Sequence, residues 1–201
     1  MANGTGNPQS YTAAGDPTKS MESAQWWLLF GVLVANKSAE QTTEKLIKFL
    51  SVNMSGTPFE KLRYMVSTGV LRVHLEMVRT GQYTRIEKAF KAIDRWSESY
   101  SDPRTWTLQG LEGIPGIGPK TARWFYMLVH PDAKVAALDT HVLKFLRDQG
   151  EQVPKGTPAT GPKYQALEAK FITWAEKLGV KPSALDFMAW TVYKNKGKIL
   201  F

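Results

Sequence analysis

The chain has 201 residues, of which 43% are hydrophobic, so it is long enough to bury a core in one or two modest lobes without covalent cross-links. Its 26 Lys and Arg residues outnumber its 18 Asp and Glu residues, and the formal net charge of +8 favours a polyanionic partner. Cysteine is absent, which excludes disulfide bonds, thiol catalysis and metals bound by thiolates.

The N-terminal segment gives the first structural prediction. Residues 1–19 are rich in Gly, Asn, Ser, Thr and Pro and have little to bury, so we predict a disordered tail. No apolar run reaches the ~18 residues that a membrane span needs, and the N-terminus lacks the basic-then-apolar pattern of a secretory signal. We therefore expect an intracellular protein.

The first ordered segment is predicted to be helical. The apolar run from Trp26 to Val34 fits a buried helix, although a strand also fits that run taken alone. Asn36 interrupts it, and Ser38 and Gln41 have the spacing of a capping box before an amphipathic helix at 43–50. Because no strand-like alternation recurs along the chain, we predict an all-α fold.

A second predicted turn lies at Gly81 and Gln82. It leads into a helix predicted at 86–96, for which Thr84 and Glu87 have the spacing of another capping box. The basic residues of this helix are expected to form a solvated face rather than to bind a ligand.

The most informative stretch runs from Leu111 to Val142. It opens with a turn at 114–118, where Gly116 and Gly118 allow backbone conformations that are closed to residues with a Cβ atom. Gly118 is also a permitted N-cap for the helix that follows, since the next residue is a proline. The turn and helix are predicted to present free amide groups at a helix N-terminus, which favours anion binding.

Two side chains that could take part in catalysis follow this turn. Lys120 falls two residues after Gly118, and Asp139 comes nineteen residues after Lys120. Asp139 directly precedes a predicted helix that begins at Thr140, so it also fits an N-cap. His141 is more simply explained as a structural residue.

The sequences GIPGIGPKTA and LDTHV, which contain these residues, resemble the helix-hairpin-helix (HhH-GPD) DNA glycosylase superfamily and are most similar to its endonuclease III branch. The resemblance implies an all-α, two-lobed fold with the active site in the cleft between the lobes. It also implies a bifunctional N-glycosylase and abasic-site (AP) lyase in which Lys120 forms a Schiff base with the sugar. Asp139 would stabilise the positive charge of the oxocarbenium-like transition state.

Two alternatives to this function remain open at the level of the sequence. The same scaffold could process an unusual modified DNA base, or it could bind DNA through its hairpin without catalysis. In each case the implied partner is double-stranded DNA. If the protein is an enzyme, this DNA carries a damaged, modified or abasic site. The protein is expected to act as a monomer in the cytoplasm or nucleoid.

The resemblance also implies a set of DNA contacts. Asn36 lies where relatives carry the residue that fills the space left by an extruded base, although it could equally be a helix-end residue. Gln82 lies where relatives carry a second intercalating residue. The remaining contacts would bind the phosphate backbone: Gly116, Gly118, Arg123 and Lys134.

The sequence and the same resemblance also indicate which cofactors the chain could bind. Most endonuclease III relatives hold a cysteine-ligated iron-sulfur cluster, which this chain cannot bind because it has no cysteine. No set of His, Asp and Glu residues has divalent-metal spacing, so no metal is expected to be held by side chains. The resemblance allows Na⁺ or K⁺ at the backbone carbonyls of Glu112, Ile114 and Ile117.

The resemblance further implies how the helices are divided between lobes. One lobe is expected at about 38–135, including the hairpin at 111–122, and the other is expected to combine about 20–37 with 136–201. A long surface loop is predicted at 151–163 because it is rich in Pro and Gly. Two helices are predicted after that loop, at about 164–178 and 183–194.

Overall fold

The structure is a computed structural model that describes residues 14–35, 37–52, 54–159, 161–195 and 197–199. Within these residues it contains ten α-helices and no β-strand, which confirms the predicted all-α fold. None of these helices is both long and apolar enough to cross a membrane. The helices are α1 Met21–Val34, α2 Ala39–Leu50, α3 Pro58–Ser67, α4 Leu71–Met77, α5 Tyr83–Ser99, α6 Leu108–Glu112, α7 Pro119–Val129, α8 Thr140–Asp148, α9 Pro162–Lys177 and α10 Pro182–Lys194.

The chain divides into two compact units, Met1–Ile117 and Gly118–Phe201. In the first unit, α1 is the central element: every residue from Ser23 to Leu33 is buried, as expected for a helix that is apolar on all its faces. Helices α2, α3 and α5 pack on it, and so does a short 3-10 turn at Pro103–Thr105.

This division differs from the predicted lobes in two places. The prediction joined residues 20–37 to the C-terminal helices, but α1 packs on α2, α3 and α5 within the first unit. The prediction also placed residues 118–135 in the first lobe, whereas they belong to the second unit together with α8, α9 and α10.

The predicted tail extends too far along the chain. Residues 1–13 lie outside the described residues, but residues 14–19 are part of the folded first unit. The indole Nε1 of Trp27 donates a hydrogen bond to the carbonyl of Gly15 (3.2 Å), and Arg104 Nη1 donates to the carbonyl of Thr18 (3.1 Å). These contacts fix the segment against α1 and the 3-10 turn.

The helix caps also differ from those predicted by sequence spacing. The Ser38 side chain makes no capping hydrogen bond, and the N-cap of α5 is Gln82, so Thr84 is the second helical residue and not a cap. A reciprocal capping box does form at α3: Glu60 N donates to Thr57 Oγ1 (3.3 Å), and Thr57 N donates to Glu60 Oε2 (2.7 Å).

The second unit is built around one apolar core from α8, α9 and α10 and the residues just before α8. Phe145, Phe171 and Leu185 lie in it, all fully buried, and the Phe145 and Phe171 rings pack edge to face at 5.7 Å. Helices α9 and α10 begin and end within two residues of the positions predicted from the sequence. This core fixes the N-terminal end of α8, which Asp139 directly precedes.

Candidate active site

The two glycines of the hairpin turn have different backbone conformations. Gly116 has a φ of +89°, and a Cβ atom there would lie only 3.0 Å from the carbonyl oxygen of Arg85. Gly118 has a φ of −89°, and a Cβ atom there would meet nothing within 4 Å. The structure therefore requires glycine at Gly116 only, whereas the sequence suggested the same conformational reason for both.

Lys120 is the second residue of α7, as predicted. Gly118 is the N-cap and Pro119 the first helical residue. The first helical hydrogen bond runs from Ala122 N to Gly118 O (3.0 Å), so the amide groups before it have no partner within the helix. The Lys120 side chain is exposed beside these amides. This end of α7 thus combines an amine with anion-binding amides.

Asp139 caps the N-terminus of α8. Its Oδ1 accepts hydrogen bonds from His141 N (2.7 Å) and Val142 N (2.8 Å), which confirms the predicted cap. Its Oδ2 accepts no hydrogen bond from the described residues. The carboxylate is therefore fixed in place by one oxygen, while the other remains available for a substrate.

A third group at this site, Asp186 on α10, was not predicted from the sequence. Its Oδ2 is buried and has no hydrogen-bond partner in the described part of the chain. Burial raises the pKa of Asp186 well above its usual range, the carboxylate of Asp139 raises it further, and the ammonium of Lys120 lowers it. Asp139 and Lys120 are thus each close enough to Asp186 to act on it electrostatically.

This arrangement brings three different chemical groups into one neighbourhood of the second unit. Lys120 supplies an amine, Asp139 an anchored carboxylate, and Asp186 a carboxyl group whose raised pKa favours its protonated form. A nucleophile, a charge-stabilising anion and a proton carrier together suit a displacement at an electron-poor carbon. No sequence signal pointed to Asp186, because its environment forms only when α10 packs on α8.

A buried hydrogen-bond network fixes the chain that leads into Asp139. Glu168 Oε1 accepts from Ala136 N (2.8 Å), and the hydroxyl of Tyr164 accepts from Leu138 N (3.0 Å). The same hydroxyl donates to the carbonyl of Ala136 (2.9 Å). Both network residues lie on α9, so this helix positions the backbone immediately before the Asp139 carboxylate.

Arg123 belongs to this network and not to an exposed DNA-binding surface. It is 7% exposed, its Nε lies 2.6 Å from Glu168 Oε1, and its guanidinium packs on the Tyr164 ring at 4.5 Å from the centroid. A buried and paired guanidinium is poorly placed to bind phosphate, so the predicted DNA contact is corrected to a structural role. Arg123 lies one turn after Lys120 and ties α7 to α9.

The remaining predicted DNA contacts lie in separate places. Lys134 is exposed in the second unit and pairs with Glu176 (2.6 Å). Gln82, in the first unit, is exposed, and its Oε1 accepts from Arg85 Nε (2.6 Å). Asn36 lies outside the described residues, so its proposed role as a wedge stays a prediction.

Two further groups bear on the predicted chemistry. The Nδ1 atom of His141 is buried and has no hydrogen-bond partner among the described residues. Among the predicted cation ligands, the carbonyl of Ile114 accepts a hydrogen bond from Ile117 N (3.0 Å) and so belongs to the turn. No group of His, Asp and Glu side chains in the described ranges could hold a metal ion.

Comparison with known proteins shows the fold. No model of a known protein family matches the chain. It is similar to the Methanocaldococcus jannaschii 8-oxoguanine glycosylase/lyase in complex with a 15mer DNA containing 8-oxoguanine, with a TM-score of 0.65, 24% identity, and coverage of 91% of this chain and 85% of that one. A second structure of an 8-oxoguanine DNA glycosylase from this organism gives a TM-score of 0.64, 22% identity, and coverage of 91% and 82%.

The 8-oxoguanine DNA glycosylase of Thermotoga maritima is also similar, with a TM-score of 0.62, 22% identity, and coverage of 92% of this chain and 88% of that one. The similarity to all three structures extends over most of both chains. The chain therefore has the all-α fold of 8-oxoguanine DNA glycosylases.

Proposed function

We propose that the protein is a bifunctional DNA glycosylase and AP lyase that removes a damaged or modified base from duplex DNA. One observation carries the proposal: the amine of Lys120 and the carboxylate of Asp139 both act on the buried carboxyl group of Asp186. This gathers a nucleophile and a charge-stabilising anion in one neighbourhood, on a fold that is similar to those of DNA glycosylases.

The first step is base removal. The unprotonated amine of Lys120 attacks C1′ of the deoxyribose, a nitrogen–carbon bond forms, and the glycosidic bond breaks. The bonding electrons leave with the base, which takes up a proton. The carboxylate of Asp139 stabilises the positive charge that develops on the sugar, through the oxygen that is not used in the helix cap.

The second step is strand cleavage. The sugar ring opens as the nitrogen of Lys120 forms a double bond to C1′, which gives a Schiff base. The positive imine acidifies the hydrogens at C2′, and loss of one of them expels the 3′ phosphate and nicks the strand. The Schiff base also offers an assay, because borohydride reduces it to a stable amine.

DNA binding is assigned to the hairpin and its surroundings. The amides at Gly116, Gly118 and the start of α7 would bind backbone phosphates, and the exposed ammonium of Lys134 would add to the attraction. Na⁺ or K⁺ at the carbonyls of Glu112, Ile114 and Ile117 would neutralise a further phosphate, and no other cofactor is required. We expect a monomer that acts on DNA in the cytoplasm or nucleoid.

The proposed substrate base is 8-oxoguanine, since the similar solved structures are 8-oxoguanine DNA glycosylases. The runner-up is an oxidised pyrimidine, which the endonuclease III branch favours and which the sequences GIPGIGPKTA and LDTHV support. A panel of duplexes, each with one lesion, separates the two. Release of an oxidised pyrimidine without release of 8-oxoguanine would favour the endonuclease III branch.

Borohydride trapping on an abasic duplex tests the catalytic proposal. The wild-type protein should form a covalent adduct, Lys120→Ala should form none, and Lys88→Ala, which removes an exposed lysine of α5, should behave like the wild type. An adduct that persists in Lys120→Ala would exclude this lysine as the nucleophile. Binding of the duplex by the wild type with neither adduct nor strand cleavage would indicate a DNA-binding protein without catalysis.

A further inference from the structure

Positively charged side chains gather in the first unit between the end of α1 and the start of α5. Lys37 follows α1, Lys45 lies on α2, and Arg85 lies in the first turn of α5. The Nζ atom of Lys37 is buried and has no hydrogen-bond partner among the described residues. A buried cation without a partner is costly, so this amine requires a counter-ion that the described residues do not supply.

Arg85 makes its hydrogen bonds without a negatively charged partner among the described residues. Its three hydrogen bonds go to uncharged acceptors: Nη2 to Val32 O (2.7 Å), Nη1 to Gly116 O (2.9 Å) and Nε to Gln82 Oε1 (2.6 Å). These bonds use three of the five guanidinium N–H groups, so two remain for an anion. The guanidinium is thus held rigidly, and no carboxylate in the described ranges binds it.

Lys45 likewise has no acidic partner among the residues that the structure describes. Its Nζ donates to the backbone carbonyl of Arg79 (2.8 Å). Burial, followed by the positive charges of Arg85 and Lys45, lowers the pKa of Lys37 to about 8. The side-chain charges that act on Lys37 are therefore those of two other cations.

The backbone around these cations adopts a rare conformation. Arg79 and Gln82 have φ values of 53° and 47°, a left-handed region that side chains other than glycine seldom occupy. Gln82 Nε2 also donates to the carbonyl of Ala35 (3.4 Å), which joins this turn to the end of α1 two residues before Lys37. Such conformations persist where the surrounding structure enforces them, and they cluster at ligand-binding sites.

We propose that Lys37, Lys45 and Arg85 form a binding site for one phosphodiester group of the DNA backbone. The inference rests on the proposed function, which supplies the DNA. A phosphate oxygen would give Lys37 the counter-ion that it lacks, and the free N–H groups of Arg85 match the geometry of a phosphate. Because Arg85 also holds the carbonyl of Gly116, the site adjoins the hairpin turn.

The salt dependence of DNA binding tests this site. For a lesion-free duplex, the slope of log K against log salt concentration should become shallower by about 0.9 in Lys37→Met, since one phosphate contact releases about that many counter-ions. Lys45→Met should also flatten the slope. Lys88→Met is the matched control, because this exposed lysine of α5 lies outside the cluster, and its slope should equal that of the wild type.

Each alternative outcome has a distinct meaning. A wild-type protein that binds the duplex, with Lys37→Met of unchanged slope, would overturn the phosphate site and leave the proposed function standing. A wild-type protein that does not bind duplex DNA would remove both. Lys37→Met is expected to fold, because methionine takes away an unpaired charge and keeps most of the side-chain volume.

A second measurement needs no variant. Titration of the wild-type lysine side chains by NMR should show that duplex DNA raises the pKa of Lys37 above its value in the free protein. No rise on saturation with duplex would contradict the site. A rise with inorganic phosphate but none with duplex would identify a small-anion site and overturn the assignment to DNA.

Discussion

The carboxyl group of Asp186 lies close enough to Asp139 for the negative charge of Asp139 to act on it. Burial raises the pKa of Asp186, and the charge of Asp139, which is anchored as the N-cap of α8, raises it further. Lys120 acts in the opposite direction on the same group. The site therefore holds one carboxyl group whose raised pKa favours its neutral form beside another that is fixed by backbone amides.

The first prediction concerns how stability depends on pH through Asp186. Because its pKa is raised in the folded protein, the folded state binds more protons than the unfolded state above the ordinary value of 3.8. The free energy of unfolding should thus fall as the pH rises from about 4 toward the raised pKa. Urea unfolding of Asp186→Asn should lack this fall, and parallel curves for the two proteins would contradict the assignment.

The second prediction separates the two roles of Asp139. Asparagine is as good an N-cap as aspartate, so Asp139→Asn should keep wild-type stability, whereas Asp139→Ala should lose about 1 kcal/mol of unfolding free energy. Both variants should bind DNA and lose most base excision, since neither carries the negative charge. Unchanged excision by Asp139→Asn would remove Asp139 from the mechanism.

The third prediction concerns the buried ion pair between Arg123 and Glu168, whose side chains are 9% and 12% exposed. Arg123→Met should lower the free energy of unfolding by about 3 to 5 kcal/mol, because it leaves the Glu168 charge buried without its partner. Lys134→Met is the control: its pair with Glu176 is exposed and should cost less than about 1 kcal/mol. Similar losses in both variants would contradict the structural role of Arg123.

The fourth prediction compares the two hairpin glycines. Gly116→Ala should destabilise the protein by at least about 1 kcal/mol, because alanine is strained at a φ of +89° and its Cβ would press on the Arg85 carbonyl. Gly118→Ala should leave the stability almost unchanged, since its Cβ would project into open space.

The same pair of variants also tests DNA binding at the hairpin. The open space at Gly118 is where a phosphate would approach the start of α7, so a methyl group should weaken binding without unfolding the protein. Duplex affinity measured at one salt concentration would show this. Equal affinities for Gly118→Ala and the wild type would place the phosphate elsewhere.

Features set by neighbouring residues were predictable from the sequence. The all-α fold, the start of α7 before Lys120 and the cap at Asp139 depend on residues within a few positions of one another. Such local patterns carry their own structural information. The predicted capping box at Thr84 is absent because α5 begins one residue earlier, at Tyr83, and Ser38 is the N-cap of α2 but its side chain makes no capping hydrogen bond.

Features that depend on distant residues were missed or misassigned. Asp186 gains its environment only when α10 packs on α8, and nothing next to it in the sequence reports that burial. Arg123 was expected to bind DNA because it lies near the hairpin, and its partner, Glu168, is 45 residues away along the chain, so local sequence does not report the ion pair. Lys37 lies near cations of α2 and α5, and its unusual environment was likewise invisible to local patterns.

The fifth prediction concerns Lys37 in the free protein. Its pKa falls from 10.5 to about 8 on folding, mainly because it is buried, so the unfolded state binds more protons between these two values. This group therefore lowers stability below pH 8, and the penalty disappears as the pH rises to 10.5.

Lys37→Met should remove that penalty, and we expect it to be more stable than the wild type at pH 7 by on the order of 1 kcal/mol, after allowance for partial exposure to solvent. Its advantage in urea unfolding should shrink steadily from pH 8 to 10.5, while the difference between Lys88→Met and the wild type should stay constant. An advantage of Lys37→Met that does not change with pH would mean that methionine stabilises by packing alone. The ammonium of Lys37 would then already have adequate solvation and no need of a phosphate.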